Sequence, residues 1–159
     1  MAGKIADGVI IGSCNSRYLI MALKHIKQGA GNNPMPQIIA WTPFQLYGSR
    51  QPASENALRD YVARSVMWSE KTMRIVGISQ RQIHRLAGLV AKRNWVEARR
   101  AVTNEMIDEL TLSGNTDQCI EKTQVLESVG LSQVILAPLT LVKQNLHAFQ
   151  RDLRVVFKK

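Results

Sequence analysis

The residues best suited to chemistry in this chain of 159 residues form a short polar run, Gly12-Ser13-Cys14-Asn15-Ser16. The run follows an apolar segment and precedes a helical pattern, which predicts a turn between a strand and a helix. Gly12 would let a ring or a phosphate approach the backbone closely, and Ser13 and Asn15 could form hydrogen bonds with that group. Ser16 could cap the helix, whose first amides favour anions. The same residues also form a sound turn without any ligand, so the sequence alone leaves both interpretations open.

Trp41 lies at the end of a second apolar segment. A core or interface position is the first interpretation of this tryptophan, as it is of Trp68 and Trp95. No catalytic residue is identified: the carboxylates show no pairing, and neither a G-x-S-x-G elbow nor a Walker motif occurs. The three histidines are widely separated, and Cys14 and Cys119 form no C-x-x-C pair. We therefore predict no metal site, and two free thiols in a reducing compartment.

A surplus of positive charge narrows the classes of partner. Lys and Arg number 21 against 12 Asp and Glu, a net charge of +9, which suits nucleic acid, an anionic membrane, an acidic protein or a polyanionic coenzyme. Part of the surplus lies in one window, in which Glu97 is the one acidic residue and the cations are Arg81, Arg85, Lys92, Arg93, Arg99 and Arg100. Solvated helix faces are the alternative explanation of this cluster.

The composition is that of a packed protein. With 45% hydrophobic and 21% charged residues, we predict a single domain over residues 1–159 and no disordered or disulfide-stapled scaffold. The longest apolar stretch, residues 134–142, is far shorter than the roughly 20 residues that cross a bilayer. Asp7 and Gly8 lie where a signal peptide would have its apolar core. We expect a cytoplasmic protein with no membrane segment.

Three apolar segments predict the strands that position these residues: Ile5–Gly12, Gln37–Thr42 and Gln133–Ala137. The first is almost continuously apolar, which predicts burial on both faces. A helical pattern that ends near Gly29 separates it from the second, so the two strands should pair in parallel through a βαβ unit. A final helix is expected from Leu139 to about Val156.

A helical insertion of about residues 54–112 separates the second and third strands, after a loop over Pro43–Ala53. Its apolar stripes are Leu58, Tyr61, Val62 and Val66; Ile83, Leu86, Ala87 and Val90; and Trp95, Ala98, Val102 and Met106. Asn115 or Thr116 begins a further helix that runs to Gly130. The chain is therefore predicted to be an α/β protein with about three parallel strands and a helical excursion.

Three segments in this order are similar to motifs of a known family. Residues 2–10, AGKIADGVI, match the pattern of an "AG-x-x-ADGV" strand. Residues 112–122, LSGNTDQCIEK, match a helix start written "SGTPEEVIEKI", with Asn115 and Thr116 in place of its Thr and Pro. Residues 129–139, VGLSQVILAPL, match a last strand written "AGVDQVVLGPPL". The chain thus resembles the luciferase-like monooxygenase family, and within it the deazaflavin-dependent methylenetetrahydromethanopterin reductases, which carry an "ADGVILG" strand.

The resemblance implies the carboxy-terminal half of a (β/α)8 TIM barrel, a fold that in this family takes roughly 300 residues. It also implies an oxidoreductase that transfers a hydride with coenzyme F420 or FMN. The coenzyme would lie at the carboxyl ends of the strands, where Gly12, Ser13, Cys14, Asn15, Ser16 and Trp41 are found. The basic surplus suits a phosphate-bearing coenzyme, especially one with an oligoglutamate tail.

The predicted strands are too few for a complete barrel. Three strands cannot close, and the outer strands of an open parallel sheet leave backbone donors and acceptors unpaired. We therefore expect the chain to be inactive alone and to need either self-association or a separately encoded amino-terminal half. Two alternatives remain: a non-catalytic basic α/β subunit that binds nucleic acid or a protein partner, and a degenerate barrel half with a structural role.

Overall fold

The computed structural model describes residues 1–46 and 52–139 of the chain. The elements follow one another as α1 (Ala2–Ile5), β1 (Gly8–Ile11), α2 (Ser16–Ala30), β2 (Gln37–Leu46), α3 (Pro52–Ser65), α4 (Glu70–Ile75), α5 (Gln80–Ala91), α6 (Trp95–Ala101), α7 (Asn104–Leu110), β3 (Leu112–Gly114), α8 (Thr116–Ser128) and β4 (Gln133–Pro138). The helix expected beyond Leu139 lies outside the described residues. None of the described helices is both long and apolar enough to cross a membrane.

The strands form one parallel sheet around β2. Both β1 and β4 pair with Ile39 and Ala40, so they lie on opposite sides of β2. The short β3 pairs with Phe44–Leu46, and because Phe44 also pairs with Pro138 of β4, β3 lies on the β1 side. Within the described residues the sheet stays open. The α/β prediction with parallel strands is thus confirmed.

One face of this sheet is covered by helices. Leu19 and Ile26 of α2, and Cys119 and Leu126 of α8, pack into one core with the sheet. The sheet contributes buried side chains of Ile11, Ile38, Ala40, Phe44, Leu46 and Leu112. The alternating pleat places these residues on the same side, which is why they share one core.

The opposite face of the sheet is largely exposed. Ile10 of β1 keeps 65% of its surface exposed, and Trp41 and Ile135 keep 36% and 41%. Burial of the first strand on both faces, expected from its apolar sequence, is therefore wrong for the described structure. The physical reason is that α2 and α8 cover one side and no described element covers the other.

The helices α3 to α7 form a second core. It contains side chains from each predicted stripe, among them Leu58, Ile83 and Ala98. The third stripe is divided between two helices, because Thr103 caps α7 by accepting a hydrogen bond from the amide of Met106 at 3.4 Å. The helix α4, with Met73 buried, had no counterpart in the sequence prediction.

Several element boundaries differ from the prediction. Ile5 belongs to α1 and is 73% exposed, so the first strand begins later than expected. The second strand continues through Pro43 to Leu46 instead of ending at Thr42. Pro43 lies between the β1 and β3 pairings on one side of β2 and pairs with Ala137 of β4 on the other side.

At two positions the structure explains why the residue is glycine. Gly3 lets α1 cross α2 closely: a Cβ atom on it would collide with the carbonyl oxygen of Ile26 and lie 2.8 Å from the amide nitrogen of Ala30. Gly31 ends α2 with a φ of +60°, a conformation that glycine adopts at low cost. The prediction that Gly29 ends this helix is wrong by two residues, because Gly31 is the C-cap.

Candidate functional site

The polar run after β1 forms a tight turn into α2. The amide of Ser13 donates to the carbonyl oxygen of Ile11 at 3.0 Å, and the amide of Asn15 donates to Ser13 Oγ at 3.0 Å. Asn15 Oδ1 then accepts from the amide of Tyr18 at 3.0 Å, which makes Asn15 the N-cap. The expectation that Ser16 would cap the helix is wrong, because Ser16 is its first helical residue. The predicted strand, turn and helix are all present.

A buried threonine attaches the turn to β2. Thr42 is fully buried, and its Oγ1 donates to the carbonyl oxygen of Ser13 at 3.2 Å. No local pattern predicts this contact, since Thr42 is the last residue of the predicted strand. This hydrogen bond fixes the position of the turn along β2.

Gly12 and Trp41 come together on the open face of the sheet. Ile11 pairs with Ala40, so the next residues, Gly12 and Trp41, lie at the same level on neighbouring strands. Gly12 is exposed, and a Cβ atom built on it meets nothing within 4 Å. Bare backbone therefore lies beside the exposed indole of Trp41 at the carboxyl end of β1. Ile135 of β4 pairs with Trp41 on its other side and extends the apolar surface.

The other candidates face a different place. Cys14, Asn15 and Ser16 line a cleft of about 400 Å³ that lies among the start of α2, the end of α7 and one side of α8. A volume of this size is within the range of small-molecule sites. The remaining lining residues are Asp108, Glu109, Thr111, Gln118, Glu121, Lys122 and Val125. Five of the six predicted residues are thus divided between the open sheet face and this cleft, and Ser13 lies in the turn between them.

A carboxylate already lies at the start of α2. The side-chain amide of Asn15 donates to Oε2 of Glu109, and the guanidinium of Arg17 lies 2.8 Å from the other carboxylate oxygen. Arg17 also donates to the carbonyl oxygen of Val76 at 3.4 Å. A phosphate at this helix start would have to displace Glu109 from Arg17. Neither residue was among the sequence candidates, although Arg17 lies only two positions after Asn15.

The side chain of Lys122, which lines the cleft, contacts α7 and β3. Lys122 Nζ lies 3.2 Å from Asp108 Oδ1 and 3.0 Å from the carbonyl oxygen of Ser113. Three carboxylates, those of Asp108, Glu109 and Glu121, face this one ammonium group in the cleft. The cleft is therefore acidic overall and poorly suited to an anionic coenzyme. Among the described residues of β1, β2 and β4, no charged side chain lies on the open face.

The thiol of Cys14 is not activated. Burial raises its pKa to about 12, against a smaller lowering by the nearby Lys122 ammonium. Burial likewise raises the pKa of Cys119 to about 11. Both thiols are free, as predicted, and both are protonated at neutral pH. The arrangement can bind and orient a ligand, but Cys14 is unsuited to act as a nucleophile.

Comparison with known proteins shows that the chain is similar to reductases of one name. The chain is 28% identical over 140 residues to 5,10-methylenetetrahydromethanopterin reductase from Methanopyrus kandleri, a match that covers 85% of this chain and 40% of that protein. It is 27% identical over 144 residues to the Archaeoglobus fulgidus protein of the same name, with 85% and 43% covered. No protein-family model matches the chain.

A solved structure shows the same fold. The coenzyme F420-dependent tetrahydromethanopterin reductase from Methanopyrus kandleri superposes with a TM-score of 0.77 and 23% sequence identity, over 98% of this chain and 44% of that one. The resemblance to the deazaflavin-dependent reductases is thus confirmed, and the open sheet is part of a barrel-like fold. The chain spans less than half the length of the reductases it matches.

Proposed function

We propose that this chain forms one wall of a coenzyme F420-dependent oxidoreductase, with the coenzyme ring against Gly12 and Trp41. One observation carries the proposal: bare backbone lies beside an exposed indole at the carboxyl end of β1, on a sheet that superposes on a coenzyme F420-dependent reductase. Ligands of α/β barrels bind at the carboxyl ends of the strands. The proposed activity is hydride transfer.

The residues at this place fit a planar coenzyme. The space that a Cβ atom would fill at Gly12 is open, so a flat ring can approach the backbone. Trp41 offers an apolar surface at the same level, and the hydroxyl of Ser13 lies one residue further along the turn. Thr42 fixes the turn through the carbonyl oxygen of Ser13, which keeps Gly12 level with Trp41.

The chemistry belongs to the coenzyme, and the chain contributes placement and the exclusion of water. When bound in its reduced form, coenzyme F420 would supply the hydride, so this wall would need to provide no acid, base or nucleophile. Trp41, Ile10 and Ile135 make one side of the proposed site apolar. Water would leave the reacting face only when the bound ring and a covering segment enclose that side. The net charge of +9 favours the approach of an anionic coenzyme.

Coenzyme F420 is preferred over FMN for this site. The solved relative is described as coenzyme F420-dependent, and its fold covers 98% of the chain. The reduced pterin in the names of the relatives is the substrate class that we assign to the completed enzyme. The chain alone leaves the proposed ring position open to water on one side, so we expect hydride transfer only after that side is covered.

The nucleic-acid alternative gains little from the structure. Two of the clustered cations are already paired: Arg99 lies 2.6 Å from Asp60 and Arg100 lies 2.6 Å from Glu97. Arg81, Arg85, Lys92 and Arg93 are exposed on α5 and the turn after it. A few exposed cations on a helix face are common in soluble proteins. We therefore do not propose this function.

The test is a fluorescence titration of coenzyme F420, with FMN in a parallel series. The titration is done on the chain alone and on the chain joined to a segment of the Methanopyrus kandleri reductase. That segment is the part of the reductase that lies outside the match. We expect saturable binding of coenzyme F420 in the joined form and weaker binding of FMN. Absence of saturation with either coenzyme in a folded, joined form would refute the proposed site.

A matched pair of glycine variants makes this test specific. Gly12→Leu fills the open space beside Trp41, and Gly88→Leu fills an equally open space on α5, since a Cβ atom at either glycine meets nothing within 4 Å. We expect Gly12→Leu to weaken coenzyme binding at least 10-fold, and Gly88→Leu to leave it unchanged. Equal binding by the two variants would mean that the coenzyme lies elsewhere.

A further inference from the structure

One residue of the helical block reaches the turn that follows Gly12. Glu109 lies in the last turn of α7, and its carboxylate accepts a hydrogen bond from the side-chain amide of Asn15. The other carboxylate oxygen lies 2.8 Å from the guanidinium of Arg17. The backbone carbonyl oxygen of Glu109 accepts from the thiol of Cys14 at 4.0 Å. Glu109 therefore contacts both the turn and the first residues of α2.

The backbone of Glu109 is itself firmly held. Ile107 and Leu110, on either side of it in α7, are buried in the second core. The amide of the fully buried Thr111 donates to the carbonyl oxygen of Ile107 at 2.9 Å, which secures the end of the helix. The contacts of Glu109 thus connect the turn to the packed core of the helical block.

The buried side chain of Asn15 depends on this connection. Its Oδ1 accepts from the amide of Tyr18 as the N-cap of α2, and its amide group donates to Glu109. Asn15 is 6% exposed, so water has little access to that amide group. Loss of the Glu109 carboxylate would leave a buried donor without its described partner, which is unfavourable. The conformation of Asn15 at the start of α2 therefore depends on Glu109.

The position of Gly12 depends on the residues that follow it. Glycine has the widest range of backbone conformations, and a Cβ atom at Gly12 would meet nothing within 4 Å. Thr42 holds the carbonyl oxygen of Ser13 from β2. The amide of Asn15 donates to Ser13 Oγ at 3.0 Å, so the contact of Asn15 with Glu109 also restrains Ser13. Two anchors, one on β2 and one on α7, thus hold the backbone beside Gly12.

We infer that Glu109 is a positioning residue of the proposed coenzyme site, which holds the turn after β1 so that the backbone of Gly12 stays beside Trp41. The inference rests on the proposed function, although the contacts of Glu109 themselves involve no coenzyme. A turn that is already held loses less freedom when a ligand binds, so the hold increases affinity. Glu109 acts through the turn and takes no part in the hydride transfer.

Amide hydrogen exchange measures the hold on the turn without coenzyme. Glu109→Ala removes the carboxylate, and Glu109→Gln keeps the shape of the side chain with one oxygen as acceptor. Asp108→Ala is the matched control, because Asp108 is the neighbouring carboxylate on α7 but contacts Lys122 of α8. We expect the amides of Asn15 and Tyr18 to exchange about 10-fold faster in Glu109→Ala and about threefold faster in Glu109→Gln. The control should leave these rates unchanged.

Equal exchange in the parent and in both Glu109 variants would overturn the inference. The glutamine variant decides the question by itself where the alanine variant loses its fold. An equal increase in Asp108→Ala would also overturn the inference, because it would show that any lost carboxylate on this helix loosens the turn.

Coenzyme affinity measures the consequence for the site. The fluorescence titration of coenzyme F420 is repeated with the three variants in the joined form. We expect the dissociation constant to rise roughly 5- to 10-fold in Glu109→Ala and about twofold in Glu109→Gln, and to be unchanged in Asp108→Ala. A role in stability alone would lower the melting temperature and leave the dissociation constant of the folded variant unchanged. Each titration is therefore done well below the melting temperature of the variant.

The results separate this inference from the proposed function. Coenzyme binding that Gly12→Leu weakens and Glu109→Ala leaves unchanged would refute the positioning role alone. Absence of coenzyme binding in the parent would refute the proposed function and the inference together. Faster exchange at Asn15 combined with weaker coenzyme binding, in the Glu109 variants and not in Asp108→Ala, is the result that we expect.

Discussion

The helices α3 to α7 and the sheet of β1, β2 and β4 bury their apolar side chains in different ways. In the helical block Leu58, Val62 and Leu86 are at most 1% exposed, and their neighbours surround them on every side. In the sheet a similar core lies on one face, while Ile10 and Ile135 on the other face remain in water. Among the described residues the helical block encloses its own core, whereas the sheet is covered on one side only.

The difference has a size that can be estimated. Full burial of a large apolar side chain is worth about 1.5–3 kcal/mol. The side chains on the uncovered face therefore do not contribute this free energy to stability, whereas those of the helical block do. The stability of the isolated chain should therefore come from the block and the helix-covered face. The open face should contribute to stability only after it is covered.

The largest expected effect comes from truncating one side chain in each region. Leu86→Ala opens a cavity in the helical block and should lower the free energy of unfolding by about 2–5 kcal/mol. Ile10→Ala removes an exposed side chain and should cost less than about 0.5 kcal/mol in the isolated chain. Urea unfolding measures both. Similar losses for the two variants would mean that the open face is already packed.

A pair of glycine variants gives the next largest effect. Gly3→Ala would force α1 away from Ile26 and Ala30 of α2, at a cost of about 1–3 kcal/mol, because both contacts are backbone atoms. Gly88→Ala lies in open space on α5 and should stabilise by about 0.5–1 kcal/mol, the usual gain of alanine in a helix. Thermal unfolding should move in opposite directions for the two. A stabilising Gly3→Ala would show that α1 does not pack against α2.

Thiol reactivity tests the covered face of the sheet. Cys14, with a pKa of about 12, should carry roughly 1000-fold less thiolate at pH 8 than an ordinary thiol, and its alkylation should be correspondingly slow. Peptide mass spectrometry measures the rate, and the protein unfolded in urea is the control. Fast alkylation of Cys14 in the folded chain would show that this turn is open to solvent.

The same thiols set a pH dependence of stability. Their pKa values are raised in the folded state, so between about pH 9 and 12 the unfolded chain loses protons that the folded chain keeps. Stability should be full below that range and should fall as the pH rises through it. Replacing Cys119 by Ser should reduce the fall, as urea midpoints at pH 8 and pH 10.5 would show. An unchanged midpoint difference would contradict this account.

Much of the architecture was predictable from local sequence, because the signals were local. The apolar runs at Val9–Ile11 and Ile38–Ala40, with a helix between them, required parallel pairing, and the structure has it. The helical stripes through Leu58 and Ile83 also depended only on spacing, and both became buried. The short motifs were sufficient to identify the resemblance to the deazaflavin-dependent reductases.

The remaining features depended on residues distant in the chain. Glu109 reaches the start of α2 from more than 90 positions away, so no local pattern could place it beside Asn15. The short β3 became a strand only because β2 continued past Pro43 to meet it. The exposure of Ile10 could not be predicted for another reason. An apolar strand has the same sequence whether its second face is covered by its own chain or by another segment.

Hydrogen exchange of the strand amides tests the central claim most directly. We compare β1 and β4, over Gly8–Ile11 and Gln133–Pro138, with α5 of the helical block, first in the chain alone and then with the unmatched reductase segment bound. The account predicts that the two strands exchange faster than α5 in the chain alone and are slowed at least 10-fold in the complex. Strand amides that are already as protected as α5 in the isolated chain would contradict it.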